Sequence, residues 1–204
     1  MKPFYRKATR YFDCLAQQGS MRTFNALEST RLPGFLSLWR IRPGERILEP
    51  GCGSGRLSQV LQQMVGPAGR VVSFDLSAAM LACALKRCPP GLLLARCSVE
   101  MVPWPDRWFD QVICFHAFPH FHDPMRCLRE IFRLLRPGGC LHITHSHDRE
   151  SLNRLHRSLG PAVEKHLLIP VVQLATLLDQ AGFELQYVFD APAGFSLKAL
   201  RPGG

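Results

Sequence analysis

Glycines fall at every second position in Glu49-Pro50-Gly51-Cys52-Gly53-Ser54-Gly55, directly after the apolar run Arg46-Ile47-Leu48. A chain leaving a strand through such a loop can turn tightly and bring its backbone close to a ligand that any β-carbon would hold off. The helix-periodic stretch that follows would aim its first N–H groups at an anionic group placed there. This pattern predicts a nucleotide-like cofactor. A second apolar run, Arg70-Val71-Val72-Ser73-Phe74, ends on Asp75, an acid about 20 residues past the loop as ribose-binding folds require.

Histidines form the other reactive group. His116, His120 and His122 follow the apolar run Gln111-Val112-Ile113-Cys114-Phe115, and His145 and His147 follow Cys140-Leu141-His142-Ile143-Thr144. Arg149, Asn153 and His156 recur at i, i+4 and i+7, one polar stripe of a predicted helix that could roof a cleft. Three readings stay open for these imidazoles. They are loop or solvated-helix residues without chemistry; or a general base or orienting group, best placed at His120 and then His145, which leave strand ends; or, since three imidazoles suit zinc, a metal or metalloid site from His120, His145 and His156. Phe118, Pro119 and Phe121 add an apolar wall that serves either packing or a small, partly aromatic ligand.

Regular elements must position these groups. Leu57, Val60, Leu61, Met64 and Val65 make one helix face, and Gly66-Pro67-Ala68-Gly69 breaks it before the strand 70–74. Ser77 is a plausible N-cap for a helix to about Lys86, and Cys88-Pro89-Pro90-Gly91 ends it before a strand over 92–95. Pro103-Trp104-Pro105-Asp106 reads as a loop, 111–115 as a fourth strand, and Pro137-Gly138-Gly139 as the stop of a helix before a fifth strand over 140–145. Strands alternating with helices predict a mostly parallel sheet covered on both faces. A helix near Asp148, another over 170–180, and strands over 184–190 and 195–201 joined by Ala191-Pro192-Ala193-Gly194 close the chain, the last two as an antiparallel hairpin at the sheet edge.

With 204 residues, the chain suits one α/β domain, with helices over 1–40 capping the cleft, a core over 41–145, a lid over 146–170, and a closing helix and hairpin over 171–204. No segment approaches the run of roughly 18 apolar residues of a membrane span, and the basic start Met1-Lys2-Pro3-Phe4-Tyr5-Arg6-Lys7 leads into no apolar region, so a cytoplasmic address is expected. The eight cysteines include no CxxC pair and mostly sit in apolar contexts, as reduced, packed thiols. The net charge of +9 raises nucleic acid as a partner. Arg126, Arg129, Arg133 and Arg136, however, stand opposite Met125, Leu128, Phe132 and Leu135 and read as the solvated face of an amphipathic helix.

The segments 42–55, 73–81, 102–110 and 128–139, in this order, resemble a class I S-adenosylmethionine-dependent methyltransferase of the small-molecule group that includes the quinone-biosynthesis enzymes. Dehydrogenase loops read G-x-G-x-x-G, and Arg56 stands where the third of those glycines would fall. The resemblance implies a Rossmann-like, doubly wound sheet of seven strands, S-adenosyl-L-methionine as cofactor, and methyl transfer to a small-molecule acceptor. It places Gly51 and Gly53 around the methionyl part, with Glu49 in the role of the more common aspartate, and Asp75 on both ribose hydroxyls. Ser98 and Val99 fall beside the adenine, Ser98 in place of the usual acid, and Cys52, Leu76, Met80 and Phe115 complete the cradle. Candidate acceptor contacts are His116, Phe118, Arg149, Asn153 and His156, with His120 and His145 as candidate catalytic groups and no metal. An Asn/Asp-Pro-Pro-Tyr/Phe box is missing after strand four, which disfavours base methylation. The alternatives are an RNA or protein acceptor, resting on the basic segments, and a cofactor-binding partner without catalysis.

Overall fold

The computed structural model describes residues 3–89 and 91–203. Met1 and Lys2 of the basic start, Pro90 of the helix-ending turn and Gly204 of the closing segment lie outside the described residues. The elements run α1 (Pro3–Gln17), α2 (Ala26–Trp39), β1 (Arg46–Pro50), α3 (Arg56–Val65), β2 (Arg70–Phe74), α4 (Ala78–Arg87), β3 (Leu93–Ala95), β4 (Phe109–Phe115), a 3-10 turn (Phe118–His120), α5 (Pro124–Leu134), β5 (Leu135–His145), α6 (Arg149–Ser158), α7 (Val171–Gln180), β6 (Glu184–Ala191) and β7 (Gly194–Leu200). Seven strands form one sheet in the order β3-β2-β1-β4-β5-β7-β6. β1 to β5 are parallel, and β7 runs antiparallel to both β5 and β6. The order reverses direction at β1, between β2 and β4, the switch point at whose carboxyl end such sheets bind ligands.

Side chains alternate across each strand, so one sheet supplies two cores. Leu48, Val72, Val112 and Leu141 meet Leu128 and Ile131 of α5 and Leu174 and Leu178 of α7 on one face. Ile47, Val71 and Ile113 meet Leu32, Phe35 and Trp39 of α2 and Leu57 and Leu61 of α3 on the other. The capped starts follow the sequence: Ser77 accepts from the Met80 N–H at 3.0 Å and Asp148 from the Ser151 N–H at 2.9 Å.

Two expectations are corrected. Pro137-Gly138-Gly139 does not separate helix from strand, because β5 starts at Leu135 and carries these residues as an irregularity opposite Phe109 to Gln111. Gly138 has φ +76°, and a β-carbon on Gly139 would lie 2.9 Å from the Arg136 carbonyl and 3.0 Å from that of Asp110, so glycine is what lets the strand kink there. The arginine stripe is also not uniformly solvated. Arg133 donates to Glu130, to Asp106 and to the backbone oxygens of Val102 and Trp104, pinning the loop that leads to β4, while Arg136 lies on β5 and pairs with Asp110.

The carboxyl half of the sheet buries an unusual set of imidazoles. His142 and His145 of β5, with His156 of α6 and His166, are buried, and His142 has no hydrogen-bond partner at either ring nitrogen among the described residues. Burial pushes His142 down to about 3 and His116 to about 4, and lowers His120, His145, His156 and His166 as well. Between such a lowered value and about 6.5 the unfolded chain binds more protons than the folded one, so stability is complete above that window and is lost as pH falls through it. Melting followed by circular dichroism is expected to show the midpoint dropping from pH 7 to pH 4. His142→Leu should flatten this slope, stabilising by about 2 kcal/mol more at pH 5 than at pH 8; an equal effect at both pH values would exclude the protonation of His142 as the source.

Candidate functional site

The loop after β1 is shaped by close approaches. Gly51 has φ +72°, and a β-carbon there would lie 2.8 Å from the Ala117 methyl, so only glycine lets β1 and the end of β4 come this near. The N–H groups of Gly51 and Cys52 both donate to the Phe74 carbonyl, at 2.8 and 3.0 Å, tying the loop to β2. Asp75 then bridges two elements: Oδ2 accepts from the Gly53 N–H at 2.9 Å and Oδ1 from the Ser77 N–H at 2.8 Å. Burial raises the Asp75 carboxyl, and the backbone donors at Ser77 and Gly53 oppose that rise. Ser77 in turn donates to Asp13 of α1 at 2.5 Å, which locks α1 to the start of α4.

Glu49 lies beneath the loop and is only 3 % exposed. Its Oε2 accepts from the hydroxyls of Ser58 and of Ser73, the latter at 2.8 Å. Desolvation outweighs these donors and pushes the carboxyl up to about 7, so near neutral pH it is poised between its neutral and ionised forms.

A cleft opens over the ends of β1, β2 and β4. It is lined by Glu49, Gly51, Cys52, Gly53, Asp75, Leu76, Met80, Ser98, Val99 and Phe115, every residue the sequence nominated for a cofactor. Tyr5 and Phe12 of α1, with Met21 and Phe24, also line it, as do His116, His120 and Phe121. Glu100 turns away to accept from the Tyr5 hydroxyl at 3.0 Å, and that hydroxyl accepts from the His122 N–H at 3.1 Å. Individual α1 residues carried no signal in the sequence, since their only mark is amphipathic spacing in a helix far from the loop.

The nominated acceptor contacts divide. His116 lines the cleft in a left-handed conformation, φ +57°, with Nε2 3.1 Å from the Ser146 hydroxyl and 3.7 Å from Glu28, itself paired with Arg56 at 2.6 Å. His120 also lines it, with Phe12 edge-on at 5.2 Å. His145 does not: it is buried behind His116, ring centroids 5.4 Å apart, and neither of its nitrogens has a hydrogen-bond partner among the described residues. Phe118 faces the core rather than the cleft. Asn153 is occupied by backbone, accepting from the Leu168 N–H at 2.7 Å and donating to its carbonyl at 2.9 Å. His156 donates through Nδ1 to the His166 carbonyl, and Arg149 pairs with Asp190. The stripe on α6 thus anchors neighbouring chain instead of roofing the cleft. His166 was not singled out in the sequence, yet its Nδ1 lies 2.9 Å from that of His120. Among the described residues no group of three or more His, Cys, Asp or Glu is arranged to hold a metal ion, so the set His120, His145 and His156 does not assemble as a ligand site.

Residues 48–143 match a family described as a methyltransferase domain. The chain is 30% identical over 166 residues to the ubiquinone/menaquinone biosynthesis C-methyltransferase UbiE of Bordetella avium, an alignment covering 79% of this chain and 60% of that protein. It is 27% identical to the protein of the same name from Stenotrophomonas maltophilia, over 74% of this chain and 70% of that one. The chain thus spans well short of the full length of these relatives. Among solved structures it is similar to a SAM-dependent methyltransferase from Aquifex aeolicus, with TM-score 0.69 and 21% identity over 82% of this chain and 88% of that one. It is also similar to the [4+2]-cyclase SpnF, with TM-score 0.67 and 19% identity over 85% and 81%, and likenesses at this identity speak to the fold alone. The domain match, the relatives and the seven-stranded sheet with its antiparallel close point the same way: residues 48–143 match a methyltransferase domain, and the chain is similar to the quinone-biosynthesis C-methyltransferases.

Proposed function

We propose that this protein transfers a methyl group from S-adenosyl-L-methionine to a small-molecule acceptor, leaving S-adenosylhomocysteine. The observation that carries the reading is the Asp75 bridge, a half-buried carboxylate that fixes the glycine loop and the start of α4 around one cleft. The cofactor fits the donor set. Nothing stands within 4 Å of where a β-carbon on Gly53 would lie, Asp75 offers carboxylate oxygens to ribose hydroxyls, and Glu49 offers a buried carboxylate to a positively charged methionyl end. Ser98 and Val99, with Leu76, Met80 and Phe115, supply the flanks for a planar base.

The bound cofactor supplies an electrophilic methyl on a good leaving group, so the protein's part is alignment and exclusion of water. Tyr5, Phe12, Met21 and Phe24 enclose the site, and Phe115, His116, His120 and Phe121 bound the end left for an acceptor. A cleft walled by aromatic and neutral imidazole groups favours a small apolar or aromatic acceptor over a polymer chain.

Isothermal titration with S-adenosylhomocysteine tests the first half. Wild type should bind below millimolar, and Asp75→Ala should weaken binding at least about tenfold, the scale of one hydrogen bond to a charged group. Asp75→Asn, of equal size, controls for loosening of the loop, and thermal midpoints of both variants show whether the fold survives. Unchanged affinity in folded Asp75→Ala would remove the basis of the reading.

Glu49 yields a second test with opposite signs for stability and binding. Its carboxyl is raised from 4.5 to about 7, so the folded state binds the proton more tightly and stability is lost as pH rises through that window. Glu49→Gln should therefore stabilise the free protein at pH 8 by on the order of 3 kcal/mol and leave it unchanged near pH 4. The same variant should bind S-adenosylhomocysteine at least about tenfold more weakly at pH 8. Stabilisation without loss of binding would place Glu49 outside the cofactor contacts.

A further inference from the structure

His120 is carried by the 3-10 turn Phe118–His120, and its Nδ1 lies 2.9 Å from Nδ1 of His166, 46 residues away. Two imidazole nitrogens at hydrogen-bond distance share one proton, so one ring donates and the other accepts. The segment bearing His166 is held firmly from α6. Its carbonyl accepts from Nδ1 of His156, which therefore carries its proton on that nitrogen, and Asn153 grips both polar groups of Leu168 two residues on. The His156 ring also packs at 5.1 Å from that of His120. The titratable groups facing His120 are thus imidazoles from every side: His116 after β4, His145 of β5, His156 of α6 and His166 before α7. Burial and these neighbours keep both members of the pair neutral at neutral pH, the state in which one of them can accept a proton.

We propose that His120 and His166 form a proton-sharing pair at the acceptor end of the cleft, in which His120 Nδ1–H donates to His166 Nδ1 and His120 Nε2 presents its lone pair to the acceptor. His120 is the catalytic base, and His166 is a positioning residue that selects its tautomer. The inference rests on the methyl-transfer reading and deepens it by requiring an acceptor that loses a proton. In the reaction the acceptor's X–H bond breaks, its proton moves to His120 Nε2, and its electron pair forms the bond to the methyl carbon. The carbon–sulfur bond breaks with its pair going to sulfur, which ends neutral. The extra charge on His120 is then stabilised through the Nδ1–H bond to His166, and the proton leaves to solvent between turnovers.

The reverse tautomer would make His120 a donor towards the cleft, and nitrogen-15 spectra of the imidazoles separate the two. In the full-length protein His120 should carry its proton on Nδ1, with Nε2 unprotonated, as the predominant form. Acidification should move the Nδ1 signals of both rings together. His166→Phe keeps a ring in place and should bring the two His120 tautomers to comparable amounts. A proton found on His120 Nε2, or a tautomer ratio unchanged in His166→Phe, overturns the proposal. If that variant fails to fold, the wild-type tautomer alone decides.

Turnover with catechol as the probe acceptor adds a kinetic readout. S-adenosylhomocysteine formation should fall on the acid side of its pH profile as the pair protonates. His166→Phe should lower kcat by about tenfold or more while KM changes less than about threefold, since it removes an interaction that matters when the proton moves. An acid limb unchanged in His166→Phe overturns the pair. Wild type that binds S-adenosylhomocysteine but turns over no catechol overturns the proton-taking role while leaving the cofactor site intact. Failure to bind S-adenosylhomocysteine at all would instead strike the methyl-transfer reading, and the tautomer measurement would still stand by itself.

Discussion

Two carboxylates at a glycine loop, Glu49 buried beneath it and Asp75 half-buried beside it, set the terms for the rest of this molecule. Asp75 and Glu49 sit at adjacent strand ends, one satisfied by backbone N–H groups and the other by serine hydroxyls. Burying an anion without a matched cation is unfavourable, and both groups respond with raised proton affinities. That arrangement persists only because the sheet on both sides is over-determined: Leu48 and Val72 are locked into one core and Ile47 and Val71 into the other, so β1 and β2 cannot shift to relieve it. The cost at the loop is a local one carried by a rigid scaffold, which is the usual relation between a binding site and the fold beneath it.

The same loop explains why the amino-terminal helices dock as they do. Asp13 accepts from Ser77, whose own N–H is bound by Asp75; Ser54 donates to the Met21 carbonyl; and Arg56, at the first turn of α3, bonds to Glu28 and to the Thr23 carbonyl. Each contact joins a residue of the cofactor loop or its neighbours to the chain before residue 40. The cover of the cleft is therefore fastened to the cradle as well as to the sheet edge, where Arg31 of α2 donates to the Pro192 carbonyl at 2.7 Å, and order in one favours order in the other.

How much of this could be read in the sequence follows from contact range. The strand, loop, helix, strand, acid unit was legible because its signals are local: alternate glycines, a 3.6-residue apolar period and an acid at a strand end. The elements were misjudged where a local rule had two outcomes. Pro137-Gly138-Gly139 reads as a stop signal, yet paired opposite Asp110 it becomes a kink inside β5. Arg133 reads as a solvated stripe, yet Asp106 and the carbonyls of Val102 and Trp104, remote in sequence, draw it inward. At the site, Tyr5 and His166 were illegible because what gives them meaning, Glu100 and His120, lies 95 and 46 residues away.

This division also separates the two halves of the site by how they can change. The candidate donor half is built on the rigid centre of the sheet, where Gly51 packs against Ala117 and Asp75 bridges Gly53 and Ser77. The acceptor half is assembled by long-range docking of α1, the turn after β4 and the segment between α6 and α7, none of which contributes a strand. Asn153 and His156 illustrate the consequence: although polar and aligned on one helix face, they serve by holding the chain around His166 and Leu168 in place. Replacing those anchors would move the acceptor wall while leaving the sheet and its loop untouched.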